Sequence, residues 1–461
     1  MRNSYIESHA ILSSWLKSYK EMFLLFLPIL CINIIDVLVM LINTAMSGAF
    51  NHESLAAVGL IVATYLASAS FCWGVLTAVL IITANRIGEG DSSNKLGLIL
   101  ISGLLLSLLL SLPFMLLFKH IQAVWIFLGQ DPKVTIIGQS FFDGAYTLIA
   151  ADLGKYVILK FLLVLGRLRV AIIANLLVLP LLFVFNTLFV GGYWGLPQLG
   201  MYGLGLGTAL TYWLVLVGMV VYICLAPHFR VYLFNGHGLI SYWKMVVSII
   251  KLGVPIGMMF ALESLFFFVI AILMGNISVI TLAAYQVAMQ YVWVSVMFSA
   301  SLAETTSILA GRANGEKNRG AVLRVLYTTL CFAFACMLCA LLVYLFAPNL
   351  LIGSVLSLAE MNNHALIDLA TQFLAIAAVY QFFDSGRLII SGALRAMFDS
   401  VYPMYAAILS FWVIGLPIGY IIAFALKWEG LGLWYGLIAA AISNALLLYL
   451  RLQKDMRLRF A

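Results

Sequence analysis

The chain is a succession of long apolar runs separated by short polar breaks. Twelve runs, near 22–48, 56–85, 96–118, 134–159, 170–190, 201–225, 249–275, 279–308, 321–347, 364–392, 403–426 and 431–450, each match the roughly 20 apolar residues that a helix needs to cross a bilayer's hydrocarbon. The breaks carry turn chemistry: Gly88-Glu89-Gly90-Asp91, Gln130-Asp131-Pro132, Gly191-Gly192 and Ala313-Asn314-Gly315. A longer connection at 226–248 holds Arg230, Asn235, Gly236, His237, Gly238 and Lys244. The pattern predicts an all-α membrane protein of twelve transmembrane helices, six on each side of that connection.

Composition agrees. Of 461 residues, 64% are hydrophobic and 9% charged, against about 25% charged in soluble domains. So few charges cannot cover a water-facing surface, which excludes a sizeable soluble domain. The net charge of +7 would hint at nucleic acid in a soluble chain. Here the basic residues sit in short loops, so they report topology and no nucleic-acid partner is implied. Assigning alternate loops to opposite sides puts 20 Lys and Arg with the termini and three, Lys119, Lys133 and Lys427, on the other face. Both termini are thus expected in the cytoplasm, with the chain multi-pass in the inner membrane. The stretch from Met1 to Met22 has Glu7, His9, Lys17, Lys20 and Glu21 and no small-residue cleavage site. It reads as an amphipathic lead-in and not as a removable signal. The six cysteines lie in apolar runs with no CxxC pair, so they read as small buried hydrophobes.

The two halves repeat. Pro28-Ile29 recurs as Pro255-Ile256, Leu55-Ala56-Ala57 as Leu282-Ala283-Ala284, and Gly203-Leu204-Gly205-Leu206 as Gly430-Leu431-Gly432-Leu433, each 227 residues on. Gly166-Arg167-Leu168-Arg169 resembles Gly392-Ala393-Leu394-Arg395 at 226. An even number of spans per copy gives both copies one orientation. This predicts lobes 1–225 and 249–461, linked by 226–248, around a pseudo-twofold axis along the membrane normal with a cleft between them. Such an architecture suits alternating access.

Charges at membrane depth cost roughly 2.5–3.5 kcal/mol each on insertion scales, so each needs a reason. Asp36 and Glu263 are a repeat pair, each eight residues past its helix's proline and near mid-membrane. Pro28 and Pro255 below them are expected to bend their helices. Span ten carries Asp384, with Tyr380 one turn before and Arg387 three residues after, all on one face. Low dielectric favours a neutral acid and a neighbouring guanidinium favours the anion. A site poised between them can exchange H+ or Na+ for a cationic substrate. Asp152 and Lys155 in span four form a similar pair and read as internal neutralisation. No histidine lies mid-span and there is no HExxH, so metal catalysis has no support. Methionines and aromatics of spans seven and eight, where they face the cleft, would give organic cations a pliable wall.

The chain resembles the multidrug and toxic compound extrusion (MATE) transporters, in their NorM-type branch, over nearly its whole length. The resemblance is carried by Leu252-Gly253-Val254-Pro255-Ile256 leading to Glu263, and by Ala283-Ala284-Tyr285-Gln286-Val287-Ala288. Tyr380-Gln381-Phe382-Phe383-Asp384 running into Ser391-Gly392-Ala393-Leu394-Arg395, and Gly195-Leu196-Pro197-Gln198-Leu199-Gly200, complete it. It implies export of bulky, mostly cationic compounds in exchange for H+ or Na+, without a cofactor or catalytic metal, by a monomer. Glu263, Asp384 and Tyr380 match the family's acidic site, which would also take Na+. Gln286 reads as a polar helper and Arg387 as a tuning charge. The family's first-span aspartate falls on Asn43, and its fifth-span polar pair on Leu182 and Asn186, so Asp36 is the acid expected to stand in. H+ is the favoured coupling ion. The nearest rival, a flippase for a lipid-linked precursor, would need more cleft cations than Lys155 and Arg387. A channel lacks a filter loop, and an enzyme lacks a nucleophile–base pair.

Overall fold

The computed structural model describes residues 2–48, 52–91, 93–195, 197–227, 229, 238–353 and 364–459. Regular structure among them is entirely helical. That follows from apolar surroundings, where backbone groups must be satisfied within the segment. The first half comprises α1 (Arg2–Gly48), α2 (His52–Gly88), α3 (Ser93–Lys119), α4 (Ile121–Phe127), α5 (Pro132–Ala145), α6 (Leu148–Val164), α7 (Leu168–Leu176), α8 (Val178–Gly191) and α9 (Gly200–Leu225). The second comprises α10 (Leu239–Ile277), α11 (Val279–Gly315), α12 (Arg319–Phe346), α13 (Pro348–Ile352), α14 (His364–Ala396), α15 (Val401–Ala407), α16 (Leu416–Tyr420) and α17 (Glu429–Arg459).

Among the described residues, eleven candidate spans are long and apolar enough to cross a membrane. The fourth predicted span is instead the pair α5 and α6, parted at Tyr146 and Thr147, each too short to cross alone. With that pair the layout has twelve crossings, and the chain is a multi-pass membrane protein. The fifth crossing is jointed as well: α7 ends at Leu176, four residues before Pro180, whose ring cannot share a regular helix with the carbonyl at that position. The eleventh crossing, Val401–Ala425, winds through π-helical stretches at Ile408–Gly415 and Ile421–Ala425. Helix entries are capped by side chains: the predicted turn residue Asp131 accepts from the Lys133 N–H, and Ser278 and Asn318, which the turn pattern did not mark, accept from Thr281 and Ala321.

By backbone contact the chain divides into two compact units, Pro28–Gly257 and Met1–Leu27 with Met258–Ala461. Relative to the six-crossing halves, the first parts of α1 and α10 change places. Their packing shows why. Phe23 and Phe26 of α1 sit 4.7 and 5.7 Å from Phe332, and Phe26 sits 4.8 Å from Phe298. Gly253 and Gly257 of α10 lie against Val75 and Gly74 of α2, so closely that a Cβ on either would strike backbone. The boundaries fall in α1 and α10 beside Pro28 and Pro255, whereas residues 228 and 230–237 of the connection, with Arg230, Asn235, Gly236 and His237, lie outside the described residues.

One repeat correspondence is corrected. Gly166 is a turn residue at φ +73°, but Gly392 is inside α14, where its carbonyl accepts from Ser307 Oγ at 3.0 Å. The two quartets are not equivalent turns. Measured from helix ends, Asp152 and Lys155 lie twelve and nine residues before Val164, and Asp384 and Arg387 lie twelve and nine before Ala396. The structural repeat has slipped from 227 to 232 by this point.

Candidate functional site

In the unit that holds α14, four predicted residues meet. Arg387 Nε donates to Asp384 Oδ1 at 2.8 Å, and its Nη1 donates to Glu263 Oε1 at 2.8 Å. The Tyr380 hydroxyl donates to the same Asp384 oxygen at 2.8 Å. Helix geometry sets these contacts, because Tyr380, Asp384 and Arg387 lie four and three residues apart on one face of α14. Glu263 comes from α10. The Phe411 ring, in the first π-helical stretch, lies 4.8 Å from the guanidinium carbon. Asp384 and Arg387 are buried, while the Glu263 side chain keeps 15% exposure. Two carboxylates around one permanently charged guanidinium leave the cluster one negative charge in its ionised form. Glu263 is the least buried of the four.

In the unit Pro28–Gly257 a second mixed cluster forms. Lys155 Nζ of α6 donates to Asn175 Oδ1 of α7 at 3.1 Å and lies 3.6 Å from Asp36 and 4.0 Å from Asp152. Asp152 Oδ2 accepts from the Tyr65 hydroxyl at 2.9 Å and from Trp73 Nε1 at 3.0 Å, both on α2. Asn175 Nδ2 donates to the Ile32 carbonyl at 3.2 Å and to Asp36 at 3.4 Å. Further along α1, Asn43 Oδ1 accepts from Asn186 Nδ2 of α8 at 2.8 Å and from Thr208 Oγ1 of α9 at 3.2 Å. That trio is uncharged. Leu182, one turn before Asn186, is buried and apolar.

The structure thus gathers Glu263, Asp384, Tyr380 and Arg387, puts Asp36 in a separate cluster, and joins Asn43 to Asn186 in a third. It does not bring Gln286 to any of them: that side chain is exposed on α11 and makes no hydrogen bond with the acidic groups. Pro28 and Pro255 lie inside continuous helices. Reading Asp152 and Lys155 as a closed pair was incomplete, since Lys155 stands between two acids and bonds to neither at hydrogen-bond distance. Sequence reasoning missed Asn175, Tyr65, Trp73, Thr208 and Phe411. An equal distance from helix ends would have marked the Asp152 and Lys155 pair. Among the described residues no group of three or more His, Cys, Asp or Glu is arranged to hold a metal ion.

A sequence model of the MatE family matches residues 28–188 and again 255–421. The matched segments begin 227 residues apart and end 233 apart, which reproduces the slip in the repeat. The "Probable multidrug resistance protein NorM" of Mesorhizobium japonicum is 29% identical over 443 residues, 96% of this chain and 95% of that one. Its namesake in Pseudomonas aeruginosa is 30% identical, over 89% and 84%. Among solved structures, the eukaryotic MATE transporter AtDTX14 superposes with a TM-score of 0.83 at 18% identity, covering 97% and 99% of the two chains. An outward-facing multidrug resistance MATE family transporter gives 0.81 at 17%, over 96% and 97%.

Proposed function

The chain belongs to the multidrug and toxic compound extrusion (MATE) family, whose members are transporters and not enzymes, and from that premise we propose that it exports organic cations from the cell by exchange for protons. The reading places it in the inner membrane with both termini cytoplasmic, working as a monomer. Its functional lobes are the six-crossing halves 1–225 and 249–461, joined by 226–248, and they alternate in access. The multidrug resistance named for its NorM relatives supports export of varied compounds.

The observation that carries the reading is the cluster of Glu263, Arg387, Asp384 and Tyr380. Arg387 and Tyr380 hold Asp384 from two sides, which leaves Glu263, the partly exposed acid, as the variable charge. With Glu263 ionised, the cluster carries one negative charge and attracts a cation. A proton on Glu263 removes that charge and releases the cation. Since proton and cation compete for one charge, binding of each excludes the other, and exchange follows. Na+ can compete at the same oxygens, so the coupling ion is an experimental variable. Both mid-span cations, Lys155 and Arg387, lie between carboxylates, so neither is spare for the diphosphate of a lipid-linked precursor.

The test is uptake of a fluorescent organic cation into proteoliposomes, under an imposed pH gradient or an imposed Na+ gradient at zero membrane potential. We expect flux with the pH gradient, lost in Asp384→Asn and Glu263→Gln. A wild type that shows no flux under either gradient defeats the exporter reading. Flux that survives both substitutions moves the coupling site elsewhere.

A further inference from the structure

We propose that Asp36, Lys155 and Asp152 form a second proton-exchange site, within the unit Pro28–Gly257, in which Asp36 takes the proton and Lys155 then closes onto Asp152. The transport consequence rests on the exporter reading above; the binding site itself does not. Its parts match the first cluster one for one. Asp36 and Glu263 come from the first helix of each half, and Asp152–Lys155 and Asp384–Arg387 sit at equal distances from the ends of α6 and α14. A hydroxyl donor fixes the inner acid in each: Tyr65 on Asp152 and Tyr380 on Asp384.

The differences give this site its chemistry. Asp152 is buried, and Tyr65 and Trp73 both donate to its Oδ2, so it is fixed by two hydrogen bonds while Lys155 stays 4.0 Å away. Asp36 is held only by Asn175 at 3.4 Å and by Lys155 at 3.6 Å, and its side chain is 49% exposed. It is therefore the carboxylate within reach of an incoming proton. Lys155 is buried, makes one hydrogen bond, to Asn175, and lies 4.5 Å from the centre of the Tyr212 ring. Its ammonium turns on a flexible stem, unlike a guanidinium locked in a fork. The titratable groups that face Asp36 and Lys155 are Asp152 on α6 and Tyr212 on α9, with the neutral Asn175 on α7, while Tyr65 and Cys72 of α2 face Asp152.

The step balances. One proton adds to a carboxylate oxygen of Asp36, no bond breaks, Lys155 remains an ammonium, and the cluster passes from one negative charge to none. With a proton also taken at Glu263, a full cycle carries two protons inward for each cation. Exchange of a monovalent cation then moves net positive charge inward and responds to membrane potential.

The experiment is infrared difference titration of the full-length protein in lipid nanodiscs, following the C=O stretch of protonated carboxylic acids, with wild type, Asp36→Asn, Glu263→Gln, Lys155→Met and Lys155→Arg. We expect Asp36→Asn to remove one band and keep the band lost in Glu263→Gln. Lys155→Met should move the Asp36 band to higher pH by tenfold or more in proton affinity, and Lys155→Arg should leave it near its wild-type position. Monodisperse Asp36→Asn protein with an unchanged spectrum overturns the proposal, as does an Asp36 band indifferent to Lys155→Met. No transport is needed for this readout. A chain with no gradient-driven flux but with the Asp36 band therefore defeats the exporter reading alone.

Discussion

Two charge clusters of one plan, one in each unit, differ in grip. Arg387 holds both its acids at 2.8 Å. Lys155 holds neither closer than 3.6 Å and leaves the inner acid to Tyr65 and Trp73. The same acid–base–acid order thus serves two ends. A planar guanidinium with directed donors makes a rigid bridge between α10 and α14. A lysine on a flexible stem leaves its cluster free to rearrange. The family model matches both halves, so the contrast lies between two segments of one family pattern.

The largest effect that tests this contrast is removal of the base. Arg387→Met strips the counter-charge from two carboxylates at once, and breaking a buried pair in this way costs about 3–5 kcal/mol. We expect most of the protein to be lost from the monodisperse peak on size exclusion at neutral pH. Partial recovery should follow on acidification, because neutral acids need no counter-charge. Lys155→Met should cost less, about 1–3 kcal/mol, since Asp152 keeps two hydrogen-bond donors and Asp36 is half exposed. Equal losses in thermal unfolding would show that the two grips do not differ.

An effect below that of Arg387→Met separates the inner acids. Tyr380→Phe removes the one hydroxyl donor on Asp384, at about 1.5–3 kcal/mol for a hydrogen bond to a charged group. Tyr65→Phe leaves Asp152 with Trp73 Nε1 at 3.0 Å and should cost about half as much. The pair Tyr65→Phe with Trp73→Phe leaves Asp152 without a hydrogen-bond donor and should cost more than Tyr380→Phe, after which Arg387 Nε still donates to Asp384 at 2.8 Å. Thermal unfolding of the three variants, side by side, decides it.

The sequence announced one cluster more clearly than the other, for identifiable reasons. Span lengths and the Asp36–Glu263 correspondence follow directly from apolar runs and a constant offset of 227. Asp384, Arg387 and Tyr380 were legible because all three share one helix, where spacing alone sets geometry. Asp152 and Lys155 share a helix too, but their equivalence was hidden. Aligning Gly166 with Gly392 matched a left-handed turn to a helical residue, and that shifted the register by six. Asn175, Tyr65 and Trp73 reach the cluster from other helices, and no local period marks such contacts. The same holds for Phe411, whose place over Arg387 depends on a π-helical stretch. The break at Tyr146 and Thr147 has neither proline nor glycine at it to announce it.

The smallest effect carries the comparison to the loops after the second crossing of each half. Asp91 ends the first, and Lys95 Nζ donates to it at 2.6 Å while Arg86 reaches it at 3.0 Å. The counterpart 227 residues on is Asn318, a neutral cap that accepts from the Ala321 N–H at 3.0 Å. The hydrogen bond from Lys95, with the Lys95 and Arg86 charges, holds the Asp91 carboxyl below the usual carboxylate range. A depressed folded-state pKa contributes stability that is fully present above the unfolded value, about 3.9, and is lost as pH falls through the folded one. Acidification should therefore weaken the loop between α2 and α3 and leave that between α11 and α12 untouched. Lys95 and Arg86 are substantially exposed, so the gain is about 0.2–1 kcal/mol and is screened by salt. Hydrogen exchange of the two loops, followed from neutral to acid pH in wild type and Asp91→Asn, measures it. We expect an acid-dependent opening in the first loop of wild type and none in the variant. Acid sensitivity in the Asn318 loop, or its persistence in Asp91→Asn, would place the pH dependence elsewhere.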